Sequence, residues 1–312
     1  MKIVYFGTPE FAVPSLEALL ESRHEVVLVV SKPDRPVGRK KIMTSPPVID
    51  VARRHELNTV QPKGLKGGKF NDTLIESGAE IAVVVAYGKL IPEEVLEIPA
   101  RGFVNLHPSL LPRHRGPSPI QWSLVCGDRS TGVSTMQLDE GMDTGPILLQ
   151  ERLPIEPLDT TETLSPRLAD LGARTMVRTL DGIEDGSIEA RPQPDDGANV
   201  TPMLRRNFAK MDWTMPARQL VNRLRGFTPW PGLYTTFRGG RLKIFGLEEV
   251  KPAPPGNQEP GMALDAGPPG ILVRCGRGSA ALITEMQREG RRRLPADAFL
   301  IGERVSSGER FR

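Results

Sequence analysis

Asn105 and His107 are the first residues in this sequence whose types and spacing could do chemistry. They lie two positions apart at the end of Phe103–His107, an apolar stretch that predicts a β-strand, so their side chains project from the same face. A side-chain amide can donate a hydrogen bond, and an imidazole can donate or accept a proton near neutral pH. In open α/β sheets such strand ends border the ligand crevice. The pair predicts a polar site, although an Asn and a His satisfied by loop carbonyls would give the same pattern.

Two loops could complete such a site. Residues Ser109–Gly116 continue directly from the strand, and with one proline, one glycine and two arginines this segment could wrap a ligand. Residues Asp139–Pro146 join two later strands, and their glycines permit a tight backbone path. Asp143 lies at the centre of the second loop. An aspartate among glycines is also a common turn former, so both roles stay open.

Several common chemistries lack their sequence signatures. The chain has no glycine fingerprint of a dinucleotide site, no phosphate-binding loop and no serine hydrolase motif. Its four histidines lack metal-ligand spacing, and its two cysteines are too few for a disulfide framework or a cysteine-based zinc site. We therefore expect no metal. Such sparse cysteines also predict a reduced, intracellular protein. We expect it to be cytoplasmic, because the opening apolar stretch is too short for a signal peptide and no run approaches the roughly 18 apolar residues of a membrane-spanning helix.

The elements that must position these residues alternate between strand and helix. The predicted strands are Lys2–Phe6, Val26–Val30, Ile81–Tyr87, Phe103–His107, Gly132–Leu138 and Ile147–Leu153. The predicted helices are Glu10–Glu21, Glu93–Glu97, Pro119–Cys126 and Leu164–Leu180. Continuous apolar strands alternating with helices indicate an α/β fold, a Rossmann-like and mostly parallel sheet covered on both faces.

A second, smaller domain is predicted behind a linker. Residues 189–208 lose the periodic pattern, and Arg191–Gly197 is rich in turn formers. We then expect a helix over Met215–Arg225, with Thr214 as its N-cap and Gly226 at its end. The remaining predicted elements are the strands Leu233–Phe237, Leu242–Leu247, Ile271–Cys275 and Ala280–Gln287, a loop over 252–270 and a helix over Pro295–Glu303. These elements predict an OB-like β-barrel, so the domains are 1–188 and 209–312, with 189–208 between them.

Charge is divided unevenly between these domains. Residues 1–188 carry a net charge of −4 and residues 189–312 carry +7, which together give +3. A basic rear half suggests a polyanionic partner, although ordinary surface charge would also explain so moderate an excess. With 38% hydrophobic and 25% charged residues, the chain can bury a core and is not a disordered tail.

The stretch Asn105–Pro112 (NLHPSLLP), followed by Asp139–Gly145 (DEGMDTG), resembles the signature of the 10-formyltetrahydrofolate-dependent formyltransferase family. Over nearly the whole chain, the sequence most resembles the branch that formylates methionyl-tRNA. Phe6–Ala12, the basic insertion Lys32–Lys41 and Asn222–Pro231 carry that similarity. The insertion departs from the family pattern, which often has Gly-Arg-Gly before its lysines, because Lys40 here follows Arg39 directly and shortens the loop by one residue.

The resemblance implies an activity and its partners. The chain would transfer the formyl group of 10-formyltetrahydrofolate to the free amino group of methionine on initiator methionyl-tRNA, for translation initiation. The folate would be a co-substrate, no metal would take part, and a monomer is expected. Domain 1–188 would then be catalytic, and domain 209–312 would bind the tRNA.

The resemblance also implies roles for individual residues. Asn105 and His107 would stabilise the oxyanion that forms on the formyl group, while Asp143 would orient His107, favour its charged form and accept the amine proton through water. The implied folate contacts are Ser109, Leu110, Leu111 and Pro112, with the pterin lined by Val85, Tyr87 and Leu90. The implied tRNA contacts, which could instead be a solvated loop, are Arg35, Arg39, Lys40 and Lys41.

Four other functions stay open at this point. A glycinamide ribonucleotide formyltransferase usually needs only the front domain, whereas an enzyme that formylates an amino sugar nucleotide can carry a rear domain. A formyl-folate hydrolase would share the Asn, His and Asp residues and use water as the acceptor. A non-catalytic RNA-binding protein with a decayed front domain is a further alternative, against which the intact Asn105, His107 and Asp143 count.

Overall fold

The computed structural model describes residues 1–38 and 40–312, which form two compact units. The first unit comprises Met1–Pro119, Ser130–Pro154 and Ser165–Thr201. The second comprises Ile120–Arg129, Ile155–Leu164 and Pro202–Arg312. It therefore includes two short segments from the front half of the chain. The domain boundaries 1–188, 189–208 and 209–312 stay a prediction.

Between residues 1 and 188, of which residue 39 is not described, the structure has nine strands and six α-helices. The strands are β1 (Lys2–Gly7), β2 (Glu25–Val30), β3 (Arg35–Val37), β4 (Ile42–Thr44), β5 (Thr59–Val60), β6 (Ile81–Val85), β7 (Phe103–His107), β8 (Ser130–Gln137) and β9 (Ile147–Pro154). The helices are α1 (Val13–Leu20), α2 (Pro47–Arg54), α3 (Gly68–Glu76), α4 (Glu93–Leu96), α5 (Pro119–Cys126) and α6 (Thr161–Asp185). None of the helices in the described part of the chain combines the length and apolar composition needed to cross a membrane.

Seven of these strands form one sheet in the order β5-β2-β1-β6-β7-β8-β9. The five strands from β5 to β7 are parallel, whereas β8 and β9 run antiparallel to their neighbours. The sheet therefore confirms the mostly parallel, Rossmann-like prediction. Because parallel strands end at the same edge, the segments that follow β5, β2, β1, β6 and β7 all leave the sheet on the side where ligands bind in such folds.

A buried aromatic cluster fixes β7 in this sheet. The rings of Phe6 and Phe103 lie 5.4 Å apart between centroids, and Phe6 is also 5.4 Å from Tyr87 in an edge-on arrangement. All three side chains are almost fully buried. Each contributes about 1.5–3 kcal/mol through burial, and Phe103 begins the strand that ends at His107. Hydrophobic packing at one end of β7 thus positions the polar residues near its other end.

The rear of the second unit is an antiparallel β-domain. Its elements are α7 (Ala217–Phe227), β10 (Leu233–Phe237), β11 (Gly240–Val250), β12 (Ala263–Gly267), β13 (Gly270–Arg274), β14 (Ala280–Arg288), β15 (Leu294–Pro295) and α8 (Ala296–Gly302). The strands follow the order β10-β11-β14-β13-β12, with β15 beside β14, and every pairing is antiparallel. An antiparallel β-domain after the α/β domain confirms the predicted fold class.

The end of the chain joins the two edges of this rear sheet. Phe311 forms a backbone bridge with Phe237 at the end of β10, and Arg310 forms another with Met262 beside β12. Arg312 and Thr236 exchange two backbone hydrogen bonds of 2.6 and 2.8 Å. The edge strands are therefore covered by a segment that pairs with both, which is how a barrel avoids exposed edges.

Two predictions for the rear domain were wrong in detail. The loop predicted over 252–270 contains the strand β12. The prediction missed this strand because it is short, rich in Gly and Ala, and lacks the β-branched residues of its neighbours. Gly226 lies inside α7 rather than after it. An added Cβ at Gly226 would lie 2.6 Å from the carbonyl oxygen of Gln121 in α5, so this glycine permits close helix packing.

The predicted N-cap of α7 was also wrong. Pro216 occupies the N-cap position and makes no side-chain capping bond. Thr214 Oγ1 instead donates a 2.6 Å hydrogen bond to Asp212 Oδ1. The predicted helix began at Met215, two residues before the observed start at Ala217. Proline is accommodated only at or before the first turn of a helix, which fits Pro216 as the residue just before α7.

An ion pair between Arg288 and Glu303 predicts a pH-dependent stability of the second unit. Arg288 Nε and a terminal nitrogen donate hydrogen bonds of 2.8 and 2.5 Å to the two oxygens of Glu303, and these bonds lower the pKa of the carboxyl group below its usual value of 4.5. The stabilisation is complete above that value and is lost as the pH falls through the lowered pKa. We expect Glu303→Gln to reduce the free energy of unfolding by about 1 kcal/mol at neutral pH.

Urea denaturation of both proteins at neutral pH and at about pH 3 measures this effect. The difference between them should shrink at the lower pH, because the carboxyl group of the unfolded chain is then protonated and the stabilisation declines as the pH falls towards the lowered pKa of the folded protein. An equal difference at both pH values would contradict the assignment.

Candidate active site

β7 places Asn105 and His107 within the sheet. Asn105 lies opposite Val84 of β6 and Met136 of β8, so its backbone is paired on both sides. Leu106 projects from the other face and packs closely against Gly172 of α6. An added Cβ on Gly172 would lie 2.5 Å from the Leu106 side chain. His107 is buried and Asn105 is half-buried. Among the described residues, the side-chain amide of Asn105 has no hydrogen-bond partner, so it is available to a ligand.

His107 is held at both nitrogens of its ring. Its Nε2 lies 2.9 Å from the carbonyl oxygen of His114, which can only accept, so this nitrogen carries a hydrogen. Its Nδ1 lies 3.5 Å from Oδ2 of Asp143. A neutral ring with its hydrogen on Nε2 would point a lone pair at the carboxylate, whereas a doubly protonated ring forms an ion pair with it.

The loop between β8 and β9 brings Asp143 to His107. Asp143 adopts a left-handed backbone conformation with φ of 55°, and its Oδ2 accepts a 2.7 Å hydrogen bond from the backbone N–H of Gly116. At Gly145 an added Cβ would lie 1.9 Å from the carbonyl oxygen of Gln137, so the loop requires glycine there. Asp143 thus shapes a turn and also directs its carboxylate at His107.

The predicted folate loop, Ser109–Pro112, is fixed against β8. Ser134 Oγ donates a 2.7 Å hydrogen bond to the carbonyl oxygen of Ser109 and accepts a 3.1 Å bond from the N–H of Leu111. The side chains of Ser109 and Leu111 are buried, whereas those of Leu110 and Pro112 are partly exposed. The loop therefore presents backbone and two partly exposed side chains to a ligand.

The three residues predicted to line a pterin pocket occupy different environments. Val85 and Tyr87 are 0% and 1% exposed, whereas Leu90 is 87% exposed. Burial raises the pKa of the Tyr87 phenol to about 12. The structure does not bring these three side chains together, because Val85 and Tyr87 belong to the core and Leu90 faces solvent. Any contact with a ligand at Val85 or Tyr87 would come from the backbone.

The basic insertion forms a hairpin in which β3 pairs with β4. These two strands were not predicted from the sequence, because each has only three residues and all six are exposed. Ile42 and Met43 are each 62% exposed, so the hairpin combines apolar and cationic side chains. Arg39 lies outside the described residues. The other predicted tRNA contacts are all exposed, namely Arg35, Lys40 and Lys41.

Gln193, in the segment predicted as a linker, contacts the loop that carries Asp143. Its Nε2 donates hydrogen bonds of 2.9 and 2.8 Å to the carbonyl oxygens of Asp143 and Gly145. Its Oε1 accepts a 2.9 Å bond from Arg115 Nε. Gln193 therefore ties together the loops that follow β7 and β8. The sequence holds no signal for this role, because a single polar residue 50 positions from its partner leaves no periodic pattern.

Residues around Gln193 form a strap across the same loops, which we define as residues 191–201. Arg191 and Ile147 form a backbone bridge, as do Val200 and Arg115. Asn199 Oδ1 accepts a 2.6 Å hydrogen bond from the N–H of His114, the residue whose carbonyl holds His107. The strap therefore supports both groups that contact the His107 ring.

A cavity of about 540 Å³ lies beside the ends of β1, β2 and β6. Its charged lining side chains include Lys32, Arg35 and Arg54 together with Glu10 and Asp50. Cations and carboxylates in one cavity suit a ligand that carries both an anionic group and an amine. Its position at the edge where the parallel strands end is the usual place for ligands in this fold.

Comparison with known proteins gives matches along most of the chain. Residues 1–180 match the family model described as formyl transferase, and residues 203–304 match that of the formyl transferase C-terminal domain. A methionyl-tRNA formyltransferase of Geobacter sulfurreducens is 42% identical over 311 residues, which cover 100% of this chain and 96% of the relative. That of Myxococcus xanthus is 43% identical, with 98% and 96% covered.

Solved structures show the same fold. An N-formyltransferase from Helicobacter canadensis, in complex with folinic acid and dTDP-3-aminofucose, aligns with a TM-score of 0.66 at 16% identity, covering 92% of this chain and 98% of that one. A phosphoribosylglycinamide formyltransferase from Bacillus halodurans aligns with a TM-score of 0.52 at 26% identity. It covers 60% of this chain and 97% of its own length.

Proposed function

This chain belongs to the formyl transferase family, and from that relationship we propose that it transfers the formyl group of 10-formyltetrahydrofolate to the methionine amino group of initiator methionyl-tRNA. One observation carries the proposal. The similarity to methionyl-tRNA formyltransferases runs the full length of the chain, whereas the glycinamide ribonucleotide enzyme matches about three fifths of it. An enzyme of the latter kind would leave the rear domain without a role.

The site supports direct transfer. The neutral amine attacks the formyl carbon, a C–N bond forms, and the bond from that carbon to N10 breaks, so tetrahydrofolate leaves. Asn105 donates a hydrogen bond to the oxygen on which negative charge develops. A protonated His107, paired with Asp143, adds positive charge beside that oxygen. Asp143 accepts the amine proton through water, and N10 of the leaving folate gains one, which balances the reaction.

The folate occupies the segments that follow β6 and β7. Its pterin contacts the backbone of Val85 and Tyr87, because their side chains are buried, and packs against the exposed side chain of Leu90. The remaining contacts are with the fixed loop Ser109–Pro112. This arrangement places N10 of the donor near Asn105, since β6 and β7 are neighbours in the sheet. The reaction uses no metal.

The tRNA contacts both ends of the chain. The exposed cations of the β3–β4 hairpin, including Arg35, Lys40 and Lys41, contact phosphates near the acceptor end, together with Arg39. The aminoacyl end enters the cavity lined by Lys32 and Glu10. The domain 209–312 contacts the tRNA backbone, consistent with the net charge of +7 over residues 189–312. The protein acts as a monomer in the cytoplasm, with 1–188 as the catalytic domain and 189–208 as its connection to the rear domain.

A panel of acceptors tests this function. Purified protein is mixed with 10-formyltetrahydrofolate and, in separate reactions, initiator methionyl-tRNA, glycinamide ribonucleotide, an amino sugar nucleotide or no acceptor. We expect formyl-methionine with the tRNA and no product with the small acceptors. Folate turnover only with a small acceptor, or only with water, would reject the proposal.

Charge reversal in the hairpin tests the tRNA contact. We expect Lys40→Glu/Lys41→Glu to raise KM for the tRNA about tenfold or more and to reduce the slope of log KM against log salt by about 2. The kcat should be unchanged, because the hairpin does not contact the reacting atoms. Lys2→Glu, at the opposite edge of the sheet, is the matched control. An unchanged KM and slope would show that the hairpin is a solvated loop.

Gln193 is a positioning residue in this account. Gln193→Ala removes two hydrogen bonds that hold the Asp143 loop, and we expect kcat to fall about tenfold with little change in either KM. Gln193→Glu should behave similarly, because a carboxylate cannot donate to the Asp143 and Gly145 carbonyls. Steady-state kinetics measure both. Wild-type kcat in both variants would show that the strap does not position the site.

A further inference from the structure

Two exposed apolar side chains meet beside the loop that carries Asp143. Met142 is 54% exposed and Val200 is 66% exposed, and they come from segments far apart in the chain. An added Cβ on Gly116 would lie 3.2 Å from Sδ of Met142 and 3.4 Å from Cγ1 of Val200. The two side chains therefore lie close together beside Gly116. We call Met142 and Val200 the apolar pair.

Backbone hydrogen bonds hold Val200 in its exposed position. The N–H of Thr201 donates a 2.8 Å bond to the carbonyl oxygen of Arg115, whose own N–H donates a 3.0 Å bond to the carbonyl oxygen of Asn199. Thr201 Oγ1 adds bonds of 3.0 and 2.7 Å to the carbonyl oxygens of Arg115 and Pro117. The residues on both sides of Val200 are therefore fixed, so its apolar side chain is presented to solvent by a well-supported segment.

The apolar pair adjoins the carboxylate that is proposed to accept the amine proton. Met142 directly precedes Asp143, whose Oδ2 accepts a 2.7 Å hydrogen bond from the N–H of Gly116 and lies 3.5 Å from Nδ1 of His107. Gly116 therefore contacts the carboxylate through its N–H, and its Cα lies beside both members of the pair. An amine that passes its proton to Asp143 through one water lies on the order of 5 Å from that carboxylate. A side chain on the carbon next to this amine can therefore reach the pair.

The aminoacyl end approaches Asn105 from the side opposite the apolar pair. The cavity proposed to receive that end lies beside β2, β1 and β6, whereas Met142 belongs to the loop between β8 and β9. β7, which carries Asn105, lies between these two regions in the sheet. The α-carbon of an amino acid bears its ester, its amine and its side chain in diverging directions. When the ester leads back to the cavity and the amine lies at Asn105, the side chain extends away from the cavity.

The chemistry of the apolar pair suits an unbranched thioether. Neither side chain carries a charge or a strong hydrogen-bonding group, and methionine adapts its shape and its polarizable sulfur to an apolar ligand. A methionine side chain of the acceptor would cover apolar surface on both residues without leaving a polar group unpaired. A polar side chain there would lose hydrogen bonds to water, and an alanine side chain is too short to cover the pair.

We propose that Met142 and Val200 contact the methionine side chain of the acceptor and select it over smaller or polar side chains, an inference that rests on the proposed function. The pair does not take part in the formyl transfer itself. It determines acceptor specificity at the amino acid, separately from the contacts that the β3–β4 hairpin and the rear domain make with the nucleic acid.

Initiator tRNA charged with methionine or with alanine tests the proposal, because the two acceptors differ only in the amino acid. The kcat/KM for each is measured with the wild type, with Met142→Gln/Val200→Thr, which nearly keeps side-chain size but adds polar groups, and with the control Ile75→Gln. Ile75 is 62% exposed and lies in α3, outside the site. We expect the wild type and the control to prefer the methionyl acceptor about tenfold, an ordinary selectivity for apolar contacts. The double variant should lose most of this preference and keep the wild-type kcat/KM for the alanyl acceptor.

The other outcomes of this experiment overturn the inference. Equal kcat/KM for the two acceptors in the wild type, or a preference that survives in the double variant, would remove the pair from acceptor recognition. An equal fall for both acceptors would show that the pair only supports the Asp143 loop, and a higher KM for the folate with the preference intact would assign the pair to the donor. If the wild type forms formyl-methionine on the methionyl acceptor, the proposed function stands in each of these cases.

Discussion

We expect Asn105→Ala to lower kcat for formyl transfer by about two to three orders of magnitude. The structure gives the Asn105 amide no partner among the described residues, so we propose that its hydrogen bond is made to the substrate and strengthens as charge develops on the formyl oxygen. Loss of one such donor removes about 3–4 kcal/mol of transition-state stabilisation. KM for folate and tRNA should change little, because both substrates are bound mainly elsewhere.

Asn58→Ala, which alters an exposed asparagine ahead of β5, serves as the control and should keep the wild-type kcat. Thermal unfolding of Asn105→Ala should match the wild type, since no described hydrogen bond is lost. A kcat within about threefold of the wild type would remove Asn105 from the catalytic site.

We expect Asp143→Asn to lower kcat by about three orders of magnitude. The asparagine can still accept the 2.7 Å hydrogen bond from Gly116, so the loop keeps its path. It cannot neutralise a protonated His107 or accept the amine proton, and both effects raise the barrier. Single-turnover rates with saturating substrates measure the loss without a contribution from product release.

Asp139→Asn is a matched control in the same loop. Asp139 accepts hydrogen bonds from Thr144 and from the backbone of Gly141, and asparagine can retain an oxygen acceptor for them. We expect nearly wild-type kinetics. Equal losses in Asp139→Asn and Asp143→Asn would mean that Asp143 acts through loop structure rather than through its charge.

The sequence predicted the part of the site that is local in the chain. The two-residue spacing of Asn105 and His107 within an apolar strand is enough to place both on one face. The glycines around Asp143 indicate a tight loop, and its contact with His107 followed from the family resemblance rather than from the spacing. These predictions succeed because strand periodicity and turn chemistry are encoded by neighbouring residues.

The parts that escaped prediction depend on contacts between distant residues. Gln193 and Asn199 support the site from a segment without periodicity, and nothing near them in the sequence indicates their partners. Gly226 was predicted to end the helix, as glycine often does. In the structure it lies within α7, where the absence of a side chain permits close packing against α5. The burial of Tyr87 and the exposure of Leu90 depend on how the chain leaves β6, which alternation along the strand does not determine.

The closure of the rear sheet has the same origin. Phe311 reads as one apolar residue in a polar C-terminal segment, yet it is buried and its ring stacks on Phe237 at 4.5 Å between centroids. A contact that joins positions 237 and 311 leaves no local pattern. Four of the six strands of the rear sheet were predicted, whereas β12, β15 and the pairing at the edges were not.

The most direct test of the central claim is a single-turnover reaction with a labelled formyl group. Enzyme in excess is mixed with labelled 10-formyltetrahydrofolate and initiator methionyl-tRNA, and the amino acid is then released from the tRNA and analysed. We predict that the wild type places the label on the amino nitrogen of methionine and that Asn105→Ala and Asp143→Asn form the same product far more slowly. Absence of labelled formyl-methionine, or wild-type rates in both variants, would contradict the account.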